Sequence, residues 1–254
     1  MITSPSNPLV KELVRLRSRR HRDRSQQFVI EGVRPLAIAA GAGVEILQQV
    51  VCPELGGRAT FQDVPVVEMS AGPFRKASQR QGPDGVMGVA RHLDTRLEAL
   101  PSSPSLVLLV EAIEKPGNLG AMLRTADAAG ADAVVVTDPA TDVHNPNVIR
   151  ASQGALFTVP LAVSHRDGTL EWLRSNRVRL VTTSPNAGRA PWEIDLTVPV
   201  AIAVGAEAVG LSPELIDASE EELRIPMSGT VDSLNASVSA AVVLYEARRQ
   251  RAQI

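Results

Sequence analysis

Three groups of polar residues stand where the sequence pattern changes from strand to helix. Asn118 and Arg124 follow the apolar run 106–113; Glu207 lies in Gly205-Ala-Glu-Ala-Val-Gly210 after the run 200–204; Ser233 and Asn235 follow residues 223–227, which read as a short strand. In an open α/β sheet, ligands bind in the crevice outside the strand carboxyl ends, where helix N-termini also offer free backbone N–H groups. An amide, a guanidinium, a carboxylate and a hydroxyl gathered at one sheet edge can orient a nucleophile and hold an anion. Taken singly, each has a plainer reading: Asn118, Ser233 and Asn235 as helix caps, Glu207 as an ion-pair partner.

The spacing argues against several other chemistries. Glu207 stands where a dinucleotide-binding loop needs its second glycine, and a carboxylate there repels a pyrophosphate. No Walker sequence, metal-spaced histidine pair or Ser-His-Asp order is present. His21, His92, His144 and His165 are scattered and read as surface residues, so no metal is expected. The lone Cys52 has no cysteine partner and reads as an inert thiol.

The elements that must position these groups follow from periodicity. Residues 28–32, 46–52, 64–69 and 86–90 read as strands around a helix at 33–40, giving a small α/β domain over residues 1–93. Residues 94–105, with Pro101-Ser-Ser-Pro104, read as a linker. From 106 to 254 the pattern alternates: strands at 106–113, 133–137, 178–183 and 200–204, and helices at 118–130, 147–156, 167–175 and 233–249. The continuously apolar strands predict a parallel sheet with helices on both faces.

Composition leaves the partner open. An apolar content of 44 % and a charged content of 21 % suit a folded globular chain, and a net charge of -2 gives no global polyanion signal. The charge is uneven, however. Residues 8–24 carry Lys11, Arg15, Arg17, Arg19, Arg20, Arg22 and Arg24 on a helix with an apolar face and the turn after it. Lys11, Arg15, Arg19, Arg20 and Arg22 are the candidates for RNA phosphate contacts, against the alternative of a solvated helix face. No apolar run is long enough to span a bilayer and the start lacks a leader pattern, so a cytoplasmic location with no membrane partner is expected.

The blocks Lys115-Pro-Gly-Asn-Leu-Gly-Ala-Met-Leu-Arg-Thr-Ala-Asp-Ala-Ala-Gly130, Ile202-Ala-Val-Gly-Ala-Glu-Ala-Val-Gly-Leu-Ser212 and Ile225-Pro-Met-Ser-Gly-Thr-Val-Asp-Ser-Leu-Asn-Ala-Ser-Val238 resemble, in order and spacing, the three motifs of the SpoU/TrmH family of RNA ribose 2′-O-methyltransferases. Ala208 is a small departure, where glycine is commoner. The opening residues, with Ser6-Asn-Pro-Leu-Val-Lys and Phe28-Val-Ile-Glu-Gly, resemble that family's N-terminal substrate-binding domain, which is similar to a small ribosomal-protein fold.

The resemblance implies a SPOUT domain with a deep trefoil knot, a homodimer with a site shared between subunits, and S-adenosyl-L-methionine as cofactor. It implies cofactor contacts from Gly205, Ile225 and Leu234, with Met227 and Thr183 as further candidates. It implies catalytic roles for Arg124, Asn118, Glu207, Ser233 and Asn235. The expected reaction is methyl transfer to a ribose 2′-hydroxyl, with 23S ribosomal RNA favoured by the appended domain. Transfer RNA as substrate, and a catalytically silent RNA-binding member, stay open as alternatives.

Overall fold

The computed structural model describes residues 1–252, and the backbone contacts divide the chain into two units. The first comprises Met1–Leu93 with Asp142–Thr158; the second comprises Asp94–Thr141 and the chain from Val159 onward.

The first unit runs α1 (Pro8–Arg15), α2 (Arg19–Ser25), β1 (Gln27–Glu31), α3 (Val33–Gly41), β2 (Ile46–Val51), β3 (Val66–Glu68), α4 (Ala71–Ala77) and β4 (Val86–Arg91). Its sheet has the order β1-β4-β2-β3, antiparallel except between β2 and β3. Val10, Leu13 and Leu16 place the apolar face of α1 in a core with Val50, Met69, Phe74 and Met87. Where a helix and the turn after it are expected over residues 8–24, the turn leads into a second short helix. Asn7 caps α1 through its side chain, and α2 ends at Gln26 in the left-handed conformation. Cys52 is buried and free.

The second unit carries β5 (Leu106–Glu111), α5 (Pro116–Ala129) and β6 (Ala133–Thr137). The next two helices, α6 (Pro146–Ser152) and α7 (Ala155–Thr158), pack with the first unit. The second unit then resumes with β7 (Leu161–Ser164), α8 (Arg166–Ser175), β8 (Arg179–Thr183), β9 (Val200–Val204), α9 (Pro213–Asp217), β10 (Glu221–Leu223) and α10 (Ala236–Arg251). Every neighbouring pair in the sheet β10-β8-β9-β5-β6-β7 is parallel. All residues of β5, β6 and β9 are buried, as expected of strands covered on both faces. Strand order reverses between β5 and β9, which makes their carboxyl ends the switch point of the sheet.

Several boundaries differ from the sequence reading. The helix expected over 147–156 breaks at Gln153 and Gly154, which both adopt positive φ. Residues 94–105 belong to the second unit rather than standing as a spacer: Leu97 and Leu100 pack on its core, and Val163 N–H donates to Thr95 O. The last strand lies at 221–223 instead of 223–227, and the last helix begins at Ala236.

Candidate active site

The site forms at the switch point, where α5 leaves β5 and the loop 205–210 leaves β9. Pro116 opens α5 at a position where a missing N–H costs nothing, and Gly130 closes it in the left-handed conformation. The N-cap of α5 is Lys115, so Asn118 lies within the first turn and keeps its side chain for other partners. Gly205 is held by packing: a Cβ there would stand 2.2 Å from the backbone carbon of Gly210, so only glycine lets the loop fold back on itself.

Glu207 is the hub. Its carboxylate pairs with the Lys115 ammonium, accepts from Asn118 Nδ2 at 2.8 Å and accepts from Asn235 Nδ2. Asn235 Nδ2 also donates to Asn118 Oδ1 at 3.2 Å. Asn235 Oδ1 caps α10, accepting from Ser237 N–H at 3.0 Å, so capping and the network are one arrangement. The hydrogen bond from Lys115, then that from Asn118, hold the Glu207 carboxyl below the usual carboxylate range, with the Ala236 N–H at the start of α10 adding to the effect. Glu207 is therefore ionised at neutral pH.

Beside this network lies a cleft of about 400 Å³ lined by Gly205, Glu207, Leu211, Thr183, Ser233 and Leu234 among others. An adjoining cleft adds Leu223, Ile225, Met227 and Asp232. Thr183 spends its hydroxyl on the Ala203 carbonyl, at 2.9 Å, so it faces the cleft as part of the wall rather than as a free donor. Ser233 precedes α10 instead of capping it.

The structure thus brings Asn118, Glu207 and Asn235 into direct contact, and gathers Gly205, Leu234, Thr183, Ser233, Ile225 and Met227 along adjoining clefts. Arg124 is not brought to them. It is exposed on α5 and makes no hydrogen bond or ion pair among the described residues. Residues 118 and 124 stand roughly 120° apart around the helix. Sequence reasoning passed over Lys115 as a site residue, although it begins the first motif; its charge faces Glu207 across 92 residues of chain, a pairing no local spacing reveals.

Of the basic candidates, Lys11, Arg15, Arg19 and Arg20 are exposed. Arg22 is a correction. It is 1 % exposed, its guanidinium pairs with Asp142 and donates to the carbonyls of Leu16 and Arg17, and it has no surface to offer RNA. His144 is a second correction, buried and stacked on His92 with ring centroids 3.9 Å apart. Leu93 N–H donates to His144 Nε2 at 3.1 Å, which directs the ring proton at Nδ1 toward Asp142. No group of residues able to hold a metal ion occurs, and no helix is long and apolar enough to cross a membrane, among the described residues.

Comparison with known proteins agrees with this geometry. The chain is similar over 99 % of its length to a crystal structure of an RNA 2′-O ribose methyltransferase, at 43 % identity and a TM-score of 0.85, covering 99 % of that chain. An AdoMet-bound rRNA methyltransferase from Sinorhizobium meliloti is 30 % identical with a TM-score of 0.89, over 98 % of this chain and 97 % of that one. The 23S rRNA (guanosine(2553)-2′-O)-methyltransferase of Bacillus subtilis is 29 % identical over 97 % of this chain and 98 % of its own. The profile of the MRM3-like substrate binding domain matches residues 7–88, and that of the SpoU rRNA Methylase family matches residues 105–245. With its three motifs meeting at one sheet edge, the chain belongs to the SpoU rRNA Methylase family.

Proposed function

We propose that this protein transfers a methyl group from S-adenosylmethionine to a ribose 2′-hydroxyl of RNA, with large-subunit ribosomal RNA as its substrate. The observation that carries the reading is the Asn118–Glu207–Asn235 network beside a cleft that adjoins an apolar wall. The two adjoining clefts are lined by the carboxylates Glu207 and Asp232 and by no lysine or arginine. Glu207 is already paired with Lys115, so Asp232 is the carboxylate left to face a sulfonium or an ammonium, and no side-chain cation on the lining serves a phosphate group. Ile225, Met227, Leu234 and Leu223 form an apolar wall of the kind an adenine ring packs against.

When bound, the cofactor supplies an electrophilic methyl group on a neutral leaving group, which leaves the protein to align the ribose oxygen and release its proton. Glu207 is a poor base, because its charge is stabilised and its oxygens are engaged by Lys115, Asn118 and Asn235. Its role is to fix the two asparagines beside the cleft. Arg124 cannot serve as base either, since a guanidinium stays protonated. It clamps an RNA phosphate and so holds the hydroxyl in place, and the proton leaves to solvent or to a phosphate oxygen. Lys11, Arg15, Arg19 and Arg20 on the first unit contact RNA phosphates.

The working form is a homodimer in which a second copy supplies Arg124 to the network. Two features support this: Arg124 is exposed and makes no contact with its own network, and α10 exposes Val238, Val242 and Tyr245 along one face, at 46 %, 39 % and 52 %. The test mixes Arg124→Ala with Glu207→Gln protein, refolded together. Random pairing restores about a quarter of the wild-type activity through one intact site per mixed dimer. A mixture no more active than the better parent sinks the shared site. Titration with S-adenosylmethionine, ATP and NAD tests the cofactor: binding of the first alone is expected, and binding of ATP or NAD in its place would overturn the assignment.

A further inference from the structure

A second cavity, of about 190 Å³, lies wholly within the first unit and shares no residue with the clefts above. Its walls come from β1, α3, the loop 78–84 and α6. The cavity therefore combines residues matched by the substrate-binding profile with residues of α6, which the SpoU profile covers.

Its chemistry is uneven in an informative way. Three arginines, Arg34, Arg80 and Arg150, line it together with two carboxylates, Glu31 and Asp84. Both carboxylates are already engaged. Glu31 accepts from Ser78 Oγ at 2.6 Å and Gln79 N–H at 2.8 Å; Asp84 accepts from Val33 N–H at 3.2 Å and pairs with Arg80 at 3.4 Å. Gly32, at φ +106°, leaves room for that pair: a Cβ would stand 2.5 Å from Arg80 Nη1. Arg150 donates to the neutral Asn147 Oδ1 at 2.7 Å, and Arg34 has no hydrogen bond or ion pair among the described residues. Two exposed guanidiniums without a carboxylate partner thus flank a cavity whose walls include Pro35 and the buried Ile149.

We propose that this cavity receives one unstacked nucleotide of the substrate RNA, with its base against Pro35 and Ile149 and its phosphate on Arg34 and Arg150. The inference rests on the RNA reading above. The cavity, about 190 Å³, is open at the surface and has room for one planar base. Exposed arginines leave the phosphate at the surface, where the RNA chain can continue in both directions. Aromatic residues are only 3 % of the sequence and none lines the cavity, so the guanidinium planes and apolar walls take the stacking role. Gln79 and Gln153 also line the cavity; Gln153 Nε2 donates to the Arg150 carbonyl at 3.1 Å, which leaves its Oε1 as an acceptor for a base edge.

The test uses the full-length protein and large-subunit rRNA, comparing wild type with the Arg34→Gln, Arg150→Gln double variant. Both arginines are exposed, so the variant keeps the wild-type melting temperature and S-adenosylmethionine affinity. RNA affinity falls on the order of 10- to 100-fold, and the slope of log affinity against log salt drops by about one to two units. KM for RNA rises while kcat at saturating RNA holds, and ultraviolet cross-links map to residues 79–84 or 146–153. An unchanged affinity and slope, in a protein whose wild type binds and methylates RNA, overturns the cavity and leaves the proposed function intact. A wild type that neither binds nor methylates RNA sinks both. Binding of free AMP, GMP, CMP or UMP as tight as that of RNA makes it a free-nucleotide site and overturns the proposal.

Discussion

Arg22 separates structural from RNA-binding arginines, and its replacement has a calculable effect. The guanidinium is 1 % exposed, with Nε 3.0 Å from Asp142 Oδ2 and Nη1 at 2.9 Å and 2.7 Å from the Leu16 and Arg17 carbonyls. Arg22→Ala leaves a shielded carboxylate with no cation and two carbonyls with no donor. Breaking a buried pair from one side costs about 3–5 kcal/mol. Asp142 keeps the His144 backbone N–H at 2.9 Å, which places the expected loss near the lower end, about 3 kcal/mol. Typical domain stabilities are about 5–15 kcal/mol, so this is a large fraction. Arg22→Lys keeps a charge but cannot reproduce the fork, with an expected cost of about 1–2 kcal/mol. Urea unfolding followed by circular dichroism reads both values. An Arg22→Ala protein with an unchanged unfolding midpoint and weakened RNA binding would refute the structural assignment; Arg20→Ala is expected to show that pattern.

Acid should loosen the first unit before it affects the second. Burial, then the neighbouring His144, pushes the His92 pKa down to about 4, so between about 4 and 6.5 the unfolded chain binds more protons and stability falls as pH falls. The shift corresponds to about 3 kcal/mol at most, and to about 1–2 kcal/mol after allowing for partial solvent access, lost from pH 6.5 downward. His92→Gln should flatten that slope in pH-dependent melting. Burial of Asp142 opposes its ionisation, but hydrogen bonds from His144 and Arg22 outweigh this and hold its carboxyl below the usual range, so its contribution is lost only below about pH 4. Glu207→Gln should leave the fold intact and lower kcat on the order of 10- to 100-fold through misplaced asparagines, measured at saturating cofactor and RNA. Arg251 donates to the carbonyls of Leu196, Val198 and Ser105, so Arg251→Ala should destabilise the second unit by about 1–3 kcal/mol, read as a lower melting temperature.

The second unit was largely legible because its buried strands are continuous apolar runs. Residues 106–113, 133–137 and 200–204 announce β5, β6 and β9 without help from tertiary context. The short edge strand β7 went unseen, since Leu161–Ser164 has too few residues for a period to register. The excursion of α6 and α7 into the first unit was equally hidden: their apolar faces are ordinary, and nothing local says which core they join. Asn118, Glu207 and Asn235 were found as polar residues at strand ends, but their mutual contacts span up to 117 residues and come only from the fold. Arg22 was misread because a basic run on a helix looks the same whether one of its members turns inward or not; its partner Asp142 lies 120 residues away. The knot implied by the family resemblance is a property of the whole chain path, which no local pattern carries.

The most direct measurement is transfer of labelled methyl from S-adenosylmethionine to separated large-subunit rRNA, small-subunit rRNA and tRNA from cells lacking this gene, with the label mapped by alkaline hydrolysis. A ribose 2′-O-methyl group blocks cleavage of the adjoining phosphodiester bond, so the predicted result is an alkali-resistant labelled dinucleotide from large-subunit rRNA, absent with Arg124→Ala protein. Label on a base, or label on a ribose at the wild-type rate with Arg124→Ala, would contradict the account.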